Sequence, residues 1–529
     1  MLNVTNEQLN IFDVITSENY NNKLQYYTLD IYINDIKSKG LDETWNNICK
    51  FIKNNQDNLP EILSVENLGK LYEIGLSTDD KISKKNSGQY YTPEDVAKIM
   101  SEWLSKTEGD NICDVGCGTG NLILSYLDFI GFEKAKNLIS NGNIYLYDND
   151  KTALNICKTA IGIKYGFDII SKLNITLCDF LDKSVTLPQN SKVISNPPYA
   201  KIKRISDKWE SSSVIKDTME YYASFMAKIF KQCKSAVTIS PFSFISGGKF
   251  YSLRQIMSEY CGFVVSFDNV PGNIFHGRKQ GIFNSNTSNS VRAAITVLQK
   301  NNNKGFKFSP LIRFKQTERK KLLTCSTLEN FVNPAIQIVD KNNSMFYKCH
   351  KELNEIFEKW KNLSNGKILS DYIKSDGKYV ISMPNTCRYY TTASDKKMNR
   401  SGQITLNFED KKIFNFIYCL INSSFAYWHW RIYDGGITYP KNLLLCMPVF
   451  FDLLTEEDYI FFDNITNEMI LNAKKFIIKK NNVGTQENIK FPRQYRDKIN
   501  KRIFKILNIN EDEKILDLVH SNMALEVNV

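Results

Sequence analysis

The residues best suited to chemistry in this chain form one tetrapeptide, Asn196-Pro197-Pro198-Tyr199. Consecutive prolines fix the backbone and remove N–H donors, leaving nearby carbonyls without local partners. The Pro197 carbonyl and the Asn196 side-chain oxygen can therefore converge on a single NH2 group. Tyr199 adds a flat face on which a planar ring can stack. Upstream, Asp114-Val-Gly116-Cys117-Gly118-Thr-Gly120-Asn121 follows a strand-like run and precedes a helical one. Glycines at that junction allow a tight turn and close approach of backbone to a ligand. A G-x-G-x-G loop serves dinucleotides as well as S-adenosylmethionine. Asp114 leads the loop and Asp148 ends the next strand, a pairing that favours a ligand with a ribose diol to hydrogen-bond. Cys178-Asp179-Phe180 ends the strand after that, where a carboxylate can accept from an adenine amino group while the ring packs on its face.

Gly88-Gln89-Tyr90-Tyr91-Thr92-Pro93 precedes the glycine loop. In this order the motifs resemble those of the gamma class of amino-methyltransferases acting on adenine N6 in DNA, the arrangement of type II restriction-modification methylases. The resemblance spans residues 86–300 and implies S-adenosylmethionine as cofactor. Its contacts would be Tyr91, Thr92, Pro93, Asp114, Gly116 and Gly118, with Asp148 on the ribose and Asp179 with Phe180 on the adenine. Asn196, Pro197, Pro198 and Tyr199 would be catalytic, because acceptors placed where positive charge develops on N6 favour its attacking geometry. Transfer would be direct, with no covalent cysteine, and Cys117 would be a packing residue. A stacked base cannot enter such a pocket, so the adenine must flip out of the duplex. Tyr199 would stack on it and Phe275 would be a second aromatic, with Phe242 and Phe244 as alternatives for that place.

The elements that must position these residues alternate. Apolar runs at 111–115, 143–147, 174–177, 192–194, 236–239, 264–267 and 293–298 are separated by helical stretches. This pattern predicts an α/β fold, a doubly wound, mostly parallel sheet, which the resemblance identifies with the class I S-adenosylmethionine-dependent methyltransferase fold. Three regions follow: a helical N-terminal region over 1–85, the cofactor-binding catalytic domain over 86–304, and an α+β DNA target-recognition domain over 305–529. Asp35-Ile36-Lys37 matches half of a metal-nuclease site, but three residues in a lysine-rich chain carry no weight. Candidate DNA contacts are Lys201, Lys203 and Arg204 just after the tetrapeptide. In the C-terminal region they are Arg388, Tyr389, Lys396, Lys397 and Arg400, and then Trp428, Trp430 and Arg431, where basic side chains interleave with aromatics.

Lys and Arg number 68 against 57 Asp and Glu, a formal +11 that suits a polyanionic partner. The polar N-terminus lacks the layout of a signal peptide and no long apolar run occurs, so a cytoplasmic protein without a membrane segment is expected. Twelve cysteines without a C-x-x-C pair and only four histidines predict neither a metal site nor disulfides. The expected activity is that of an adenine-specific, site-specific DNA methyltransferase, a monomer acting on double-stranded DNA and protecting it from a separately encoded cognate endonuclease. The alternatives are a modification subunit that borrows recognition from another chain, or an RNA or protein N-methyltransferase.

Overall fold

The computed structural model describes residues 92–275, 291–340, 344–480 and 486–525. The region expected to be helical over 1–85 and Tyr91 lie outside the described residues. The chain divides into two compact units. The first takes the described residues up to Lys307 together with Arg319–Asn330 and Ile336–Ser344, and the second takes Phe308–Glu318, Phe331–Ala335 and the described residues from Met345 on. The seam expected at 304/305 is thus crossed first at 307/308, and the chain then returns twice to the first unit.

The first unit is built on strands β1 (Asn111–Val115), β2 (Ile144–Asp148), β3 (Asn174–Leu177), β4 (Ser191–Ser195), β5 (Ser235–Pro241), β6 (Cys261–Phe267) and β7 (Ala293–Gln299), and the same sheet has an eighth strand, β8 (Gly305–Ile312), along which the chain passes from one unit to the other. Their order is β3-β2-β1-β4-β5-β7-β6-β8. The pairs β1–β2, β2–β3, β1–β4 and β4–β5 are parallel, and β7 is antiparallel to both β5 and β6. This is a mostly parallel, doubly wound α/β sheet, as the alternation of strand-like and helical runs predicts. β4 is buried at every position, as expected for a parallel strand covered on both faces. The order reverses between β1 and β4, so the loops leaving their carboxyl ends part and open a crevice, the place where such sheets bind ligands. The glycine loop follows β1, and Asn196-Pro-Pro-Tyr199 follows β4.

Helices α1 (Glu94–Ser105) and α2 (Asn121–Ile130) pack on one another. α1 buries Val96, Ala97, Ile99, Met100, Trp103 and Leu104, an apolar stripe at helical spacing. Residues 319–330 return to cover this same helix: the Trp103 indole donates to Glu329 at 2.7 Å and the Cys325 thiol to the Ile99 carbonyl at 3.6 Å. Further along are α3 (Phe132–Ser140), α4 (Lys151–Tyr165), α5 (Ser213–Thr218), α6 (Tyr221–Gln232) and α7 (Tyr251–Ser258), of which α6 is buried from Tyr222 to Phe230.

The second unit is mainly helical, with two antiparallel strand pairs, Tyr379–Pro384 with Gln403–Phe408 and Ile477–Lys480 with Gln486–Ile489. Its core gathers Phe357, Trp360, Phe416, Tyr418, Phe425 and Trp428. The rings of Trp360 and Trp428 stack with centroids 5.9 Å apart. No helix among the described residues is long and apolar enough to cross a membrane.

Gly120 joins the glycine loop to α2 with φ of +92°, and a Cβ there would stand 2.5 Å from the Cys157 sulfur of α4. Backbone strain and overlap act together at this position. Gly120→Ala is expected to destabilise the first unit by about 2–5 kcal/mol, read as a lowered calorimetric unfolding temperature. A second change, Cys157→Ala, should restore only the part due to overlap.

Candidate active site

At the end of β1 the loop turns sharply. The N–H groups of Gly116 and Cys117 both donate to the Tyr147 carbonyl, at 2.8 and 3.1 Å. Gly118 N–H donates to Asp148 Oδ2 at 2.8 Å, and Asp150 N–H donates to its Oδ1 at 2.9 Å. Asp148 is half-buried at the last position of β2, and burial raises its carboxyl above the usual range despite these donors. Asp114 lies one residue deeper in its strand, paired with Ile194 of β4, and is fully buried. Its Oδ2 accepts the Ile123 N–H of α2 at 3.1 Å. Asp114, expected to touch the cofactor, therefore fastens the first turn of α2 to β1 and presents no surface to a ligand. Burial pushes its carboxyl up to about 8.

Thr92 and Asn196, 104 residues apart in sequence, meet here: Asn196 Nδ2 donates to Thr92 Oγ1 at 3.0 Å. Thr92 is buried, and its carbonyl accepts from Asn121 Nδ2 at 2.6 Å. Pro93 leads directly into α1. Ser195, the last residue of β4, donates through Oγ to the Val115 carbonyl at 2.6 Å, so the ends of β4 and β1 are tied together. Gly116 has φ of +71°, and a Cβ built on it would find only the Asn196 carbonyl oxygen, at 4.0 Å. The missing side chain thus leaves open the space between the glycine loop and Asn196. That space fits a ligand that must lie against backbone and reach Asn196.

Tyr199 is half-buried, and its hydroxyl donates to the Ile239 carbonyl at 3.3 Å. Its ring meets Tyr222 of α6 edge-on at 6.3 Å and Phe275 edge-on at 6.1 Å. Of the three aromatics considered for a second place at the base, Phe275 has its ring against Tyr199; Phe244 is fully buried, while Phe275 and Phe242 are buried to a similar degree, at 7% and 9% exposed.

The turn after β3 differs from expectation in one respect. Asp179 is exposed, but Phe180 is buried, packing against Tyr147 at 5.9 Å and Phe225 at 5.2 Å. Phe180 supports the turn from the core, which argues against a stacking face for adenine. Two residues missed in the sequence hold this turn. Lys228 of α6 is buried and donates to the carbonyls of Phe180 and Asp182, both at 2.7 Å, and burial lowers its pKa. The Trp209 indole donates to Asp179 Oδ2 at 2.7 Å. A lysine set among Ser224, Phe225, Ile229 and Phe230 was the available signal for Lys228; Trp209 carried none.

Lys201, Lys203 and Arg204 are exposed on the loop that ends at Trp209, and buried Ile202 anchors it. In the second unit Arg388, Tyr389, Lys396 and Lys397 are exposed. Arg400 is half-buried, and its guanidinium is engaged by Gly402 O, Glu487 O and Thr386 Oγ1. Trp428, Trp430 and Arg431, expected on DNA, are buried. They belong to the helix Ser424–Tyr433, which is enclosed on every side from Ser424 to Ile432. There Trp430 donates to the Thr438 carbonyl at 3.0 Å and Arg431 to the Leu311 carbonyl at 2.7 Å. They are core residues of their unit: Trp430 and Arg431 are held by carbonyls, and Trp428 packs against Phe357, Trp360 and Phe425.

The Asp114 carboxyl supplies a pH test. Its folded value of about 8 lies above the ordinary carboxylate value, so the folded chain keeps a proton that the unfolded chain releases. That contribution to stability is complete below about pH 4 and is lost as pH rises through about 8. The unfolding temperature should fall between these limits. Asp114→Asn, which keeps an acceptor for Ile123 N–H, should flatten the fall when both chains are scanned across that range.

Comparison with known proteins adds a family. The model of the N-6 DNA Methylase family matches residues 63–370, more than half of the chain. A type I restriction enzyme MpnII methylase subunit of Mycoplasma pneumoniae is 23% identical over 262 residues, covering 46% of this chain and 45% of that one. The type I restriction enzyme MjaVIII methylase subunit of Methanocaldococcus jannaschii is 30% identical over 145 residues, covering 26% and 24%. This chain therefore spans less than half the length of either relative. Among solved structures, a nuclease-deletion mutant of the Type ISP restriction-modification enzyme LlaGI, in complex with a DNA substrate mimic, is 12% identical with a TM-score of 0.46, over 87% of this chain and 61% of that one. By the span of the family match, the chain belongs to the N-6 DNA methylase family.

Proposed function

We propose that this chain transfers a methyl group from S-adenosylmethionine to N6 of an adenine turned out of double-stranded DNA, as the modification activity of a restriction-modification system. The observation that carries this reading is the Asn196 carboxamide, held through its NH2 by Thr92 at the carboxyl end of β4, across open space from Gly116. A carboxamide fixed by its donor end has its acceptor end fixed as well. Asn196 Oδ1 and the Pro197 carbonyl then accept the two hydrogens of an adenine amino group and draw its lone pair out of conjugation, where charge develops during transfer.

When bound, S-adenosylmethionine supplies a methyl group on a sulfonium, already electrophilic. The chain's work is to place it. Gly116 and Gly118 would lie against the cofactor, Asp148 would hold the ribose, and Asp179 would accept from the cofactor's adenine. Tyr199 stacks on the flipped base, a contact of about 1–3 kcal/mol. The exposed Lys201, Lys203 and Arg204 neutralise phosphates beside the flipped nucleotide.

The gamma-class order of motifs supports a chain that reads its own target, with Arg388, Tyr389, Lys396 and Lys397 as surface contacts. The names of the relatives support a second reading, a modification subunit whose target is chosen by another chain. Purified chain incubated with methyl-labelled cofactor and unmethylated DNA of many sequences separates them. Label in N6-methyladenine at one sequence context supports the first, label only after a specificity subunit is added supports the second, and label in no adenine under either condition refutes both.

Asn196→Ala is expected to lower turnover by at least about 100-fold while cofactor affinity, measured by calorimetry, is retained. Thr92→Val removes the acceptor that orients the Asn196 amide and should lower kcat by roughly 10- to 100-fold. Thr92→Ser, which keeps the hydroxyl, should restore most of it.

A further inference from the structure

We infer that Arg319 is a positioning residue for the aromatic wall of the target-base pocket, an inference that rests on the methylation reading above. Arg319 lies beyond the run of recognisable motifs, in the first stretch that returns to the first unit, and it is 5% exposed. Its guanidinium makes four hydrogen bonds. Nε donates to Asp95 Oδ2 at 2.6 Å and Nη2 to Asp95 Oδ1 at 2.8 Å, a fork on one carboxylate. Nη1 donates to the Asn273 carbonyl at 2.8 Å and Nη2 also to the Ile274 carbonyl at 2.8 Å.

These partners flank the two halves of the pocket. Asp95 lies in the first turn of α1, three residues after Thr92, whose hydroxyl accepts from Asn196. Ile274 immediately precedes Phe275, whose ring stands against Tyr199 and whose N–H donates to Asn273 Oδ1 at 2.8 Å. The contacts form a closed circuit: Thr92 to Asn196, along the tetrapeptide to Tyr199, across to Phe275, back through Ile274 to Arg319, and through Asp95 to Thr92. Four segments distant in sequence are joined, and Arg319 is the link that no motif announces. These four bonds, two of them forked on one carboxylate, need more than the three donors of an ammonium and suit the planar five-donor guanidinium. Arg319 therefore sets where the Phe275 ring stands against Tyr199, and with it the orientation of the Tyr199 face offered to the flipped base.

The test uses the full chain carrying 4-fluorophenylalanine, with the Phe275 resonance assigned through Phe275→Leu. Arg319→Lys is compared with wild type, Phe275→Leu and the double variant, measuring fluorine spectra, cofactor affinity, and kcat and KM for DNA. Arg319→Lys should displace or broaden the Phe275 resonance and lower kcat by roughly 10- to 100-fold, with cofactor affinity unchanged. The double variant should be no slower than Phe275→Leu alone, because both changes act through one ring. An unmoved resonance, losses that multiply in the double variant, or cofactor affinity that falls in step with kcat would each overturn the assignment. Asp95→Asn, at a half-exposed position, repeats the comparison should Arg319→Lys prove insoluble. If the wild-type chain methylates no adenine with or without an added specificity subunit, the methylation reading falls on that result, and the fluorine arm alone decides whether Arg319 sets Phe275.

Discussion

The direction of one carboxamide governs the rest of the site. Asn196 follows the last residue of a strand buried along its whole length, and its backbone position is set by the sheet. Its side chain is not, since a primary amide can present donor or acceptor to the crevice with little change in shape. The 3.0 Å hydrogen bond to Thr92 removes that freedom. Thr92 can perform this task only because it is itself held: its carbonyl accepts from Asn121 at the start of α2, and Pro93 begins α1 directly after it. The bond from Ser195 to Val115 holds the ends of β4 and β1 at constant separation, so the glycine loop and Asn196 face each other across a fixed gap. Both sides of the crevice thus depend on contacts between residues far apart in sequence.

Asp114 and Asp148 show how little of a residue's role its type determines. Both stand at the carboxyl end of neighbouring parallel strands. Asp148 ends its strand, is half-buried, and receives two backbone N–H groups. Asp114 is followed by one more strand residue, Val115, and that single step places it wholly inside. An ionised carboxylate at such a depth costs more than one hydrogen bond returns, so the proton is retained to higher pH. Spacing in a sequence locates a strand end to within a residue or two, and here one residue separates a half-buried group that holds the glycine loop from a fully buried one that fastens a helix.

The same reasoning explains which parts of the architecture were legible. The seven expected strands are apolar runs bounded by polar turns, and the sheet contains each of them within a few residues of its expected limits. β8 was missed because Asn301-Asn-Asn-Lys304 reads as the end of a domain, whereas the chain turns there and adds another strand beside β6. The helix Ser424–Tyr433 misled for a related reason. Its tryptophans and arginine have the composition of a nucleic-acid surface, yet the helix is enclosed all round: Trp430 and Arg431 meet carbonyls inside the unit, and Trp428 packs among aromatic rings. Local sequence cannot distinguish the two cases, because both require aromatic area and hydrogen-bond donors together; what distinguishes them is whether a neighbouring segment covers the helix. Arg319 was invisible for the converse reason, being one cation in the run Arg319-Lys320-Lys321 with partners that only the tertiary fold brings near.

Net charge, too, takes its meaning from position. Cations held by carbonyls and carboxylates inside a unit, such as Lys228, Arg319 and Arg431, contribute to the total of +11 but have no donor to offer a polyanion at the surface. Lys201, Lys203 and Arg204 do contribute, and they begin two residues after Tyr199, on a loop whose far end is fixed by Trp209 to Asp179. In the reading proposed here, Asp179 accepts from the cofactor's adenine while the loop neutralises phosphate beside the flipped nucleotide. The indole joins these two tasks through one carboxylate oxygen. The other oxygen of that carboxylate accepts the Leu181 N–H at 3.0 Å, so both ends of the Asp179 carboxylate are already oriented by the turn and the loop it carries.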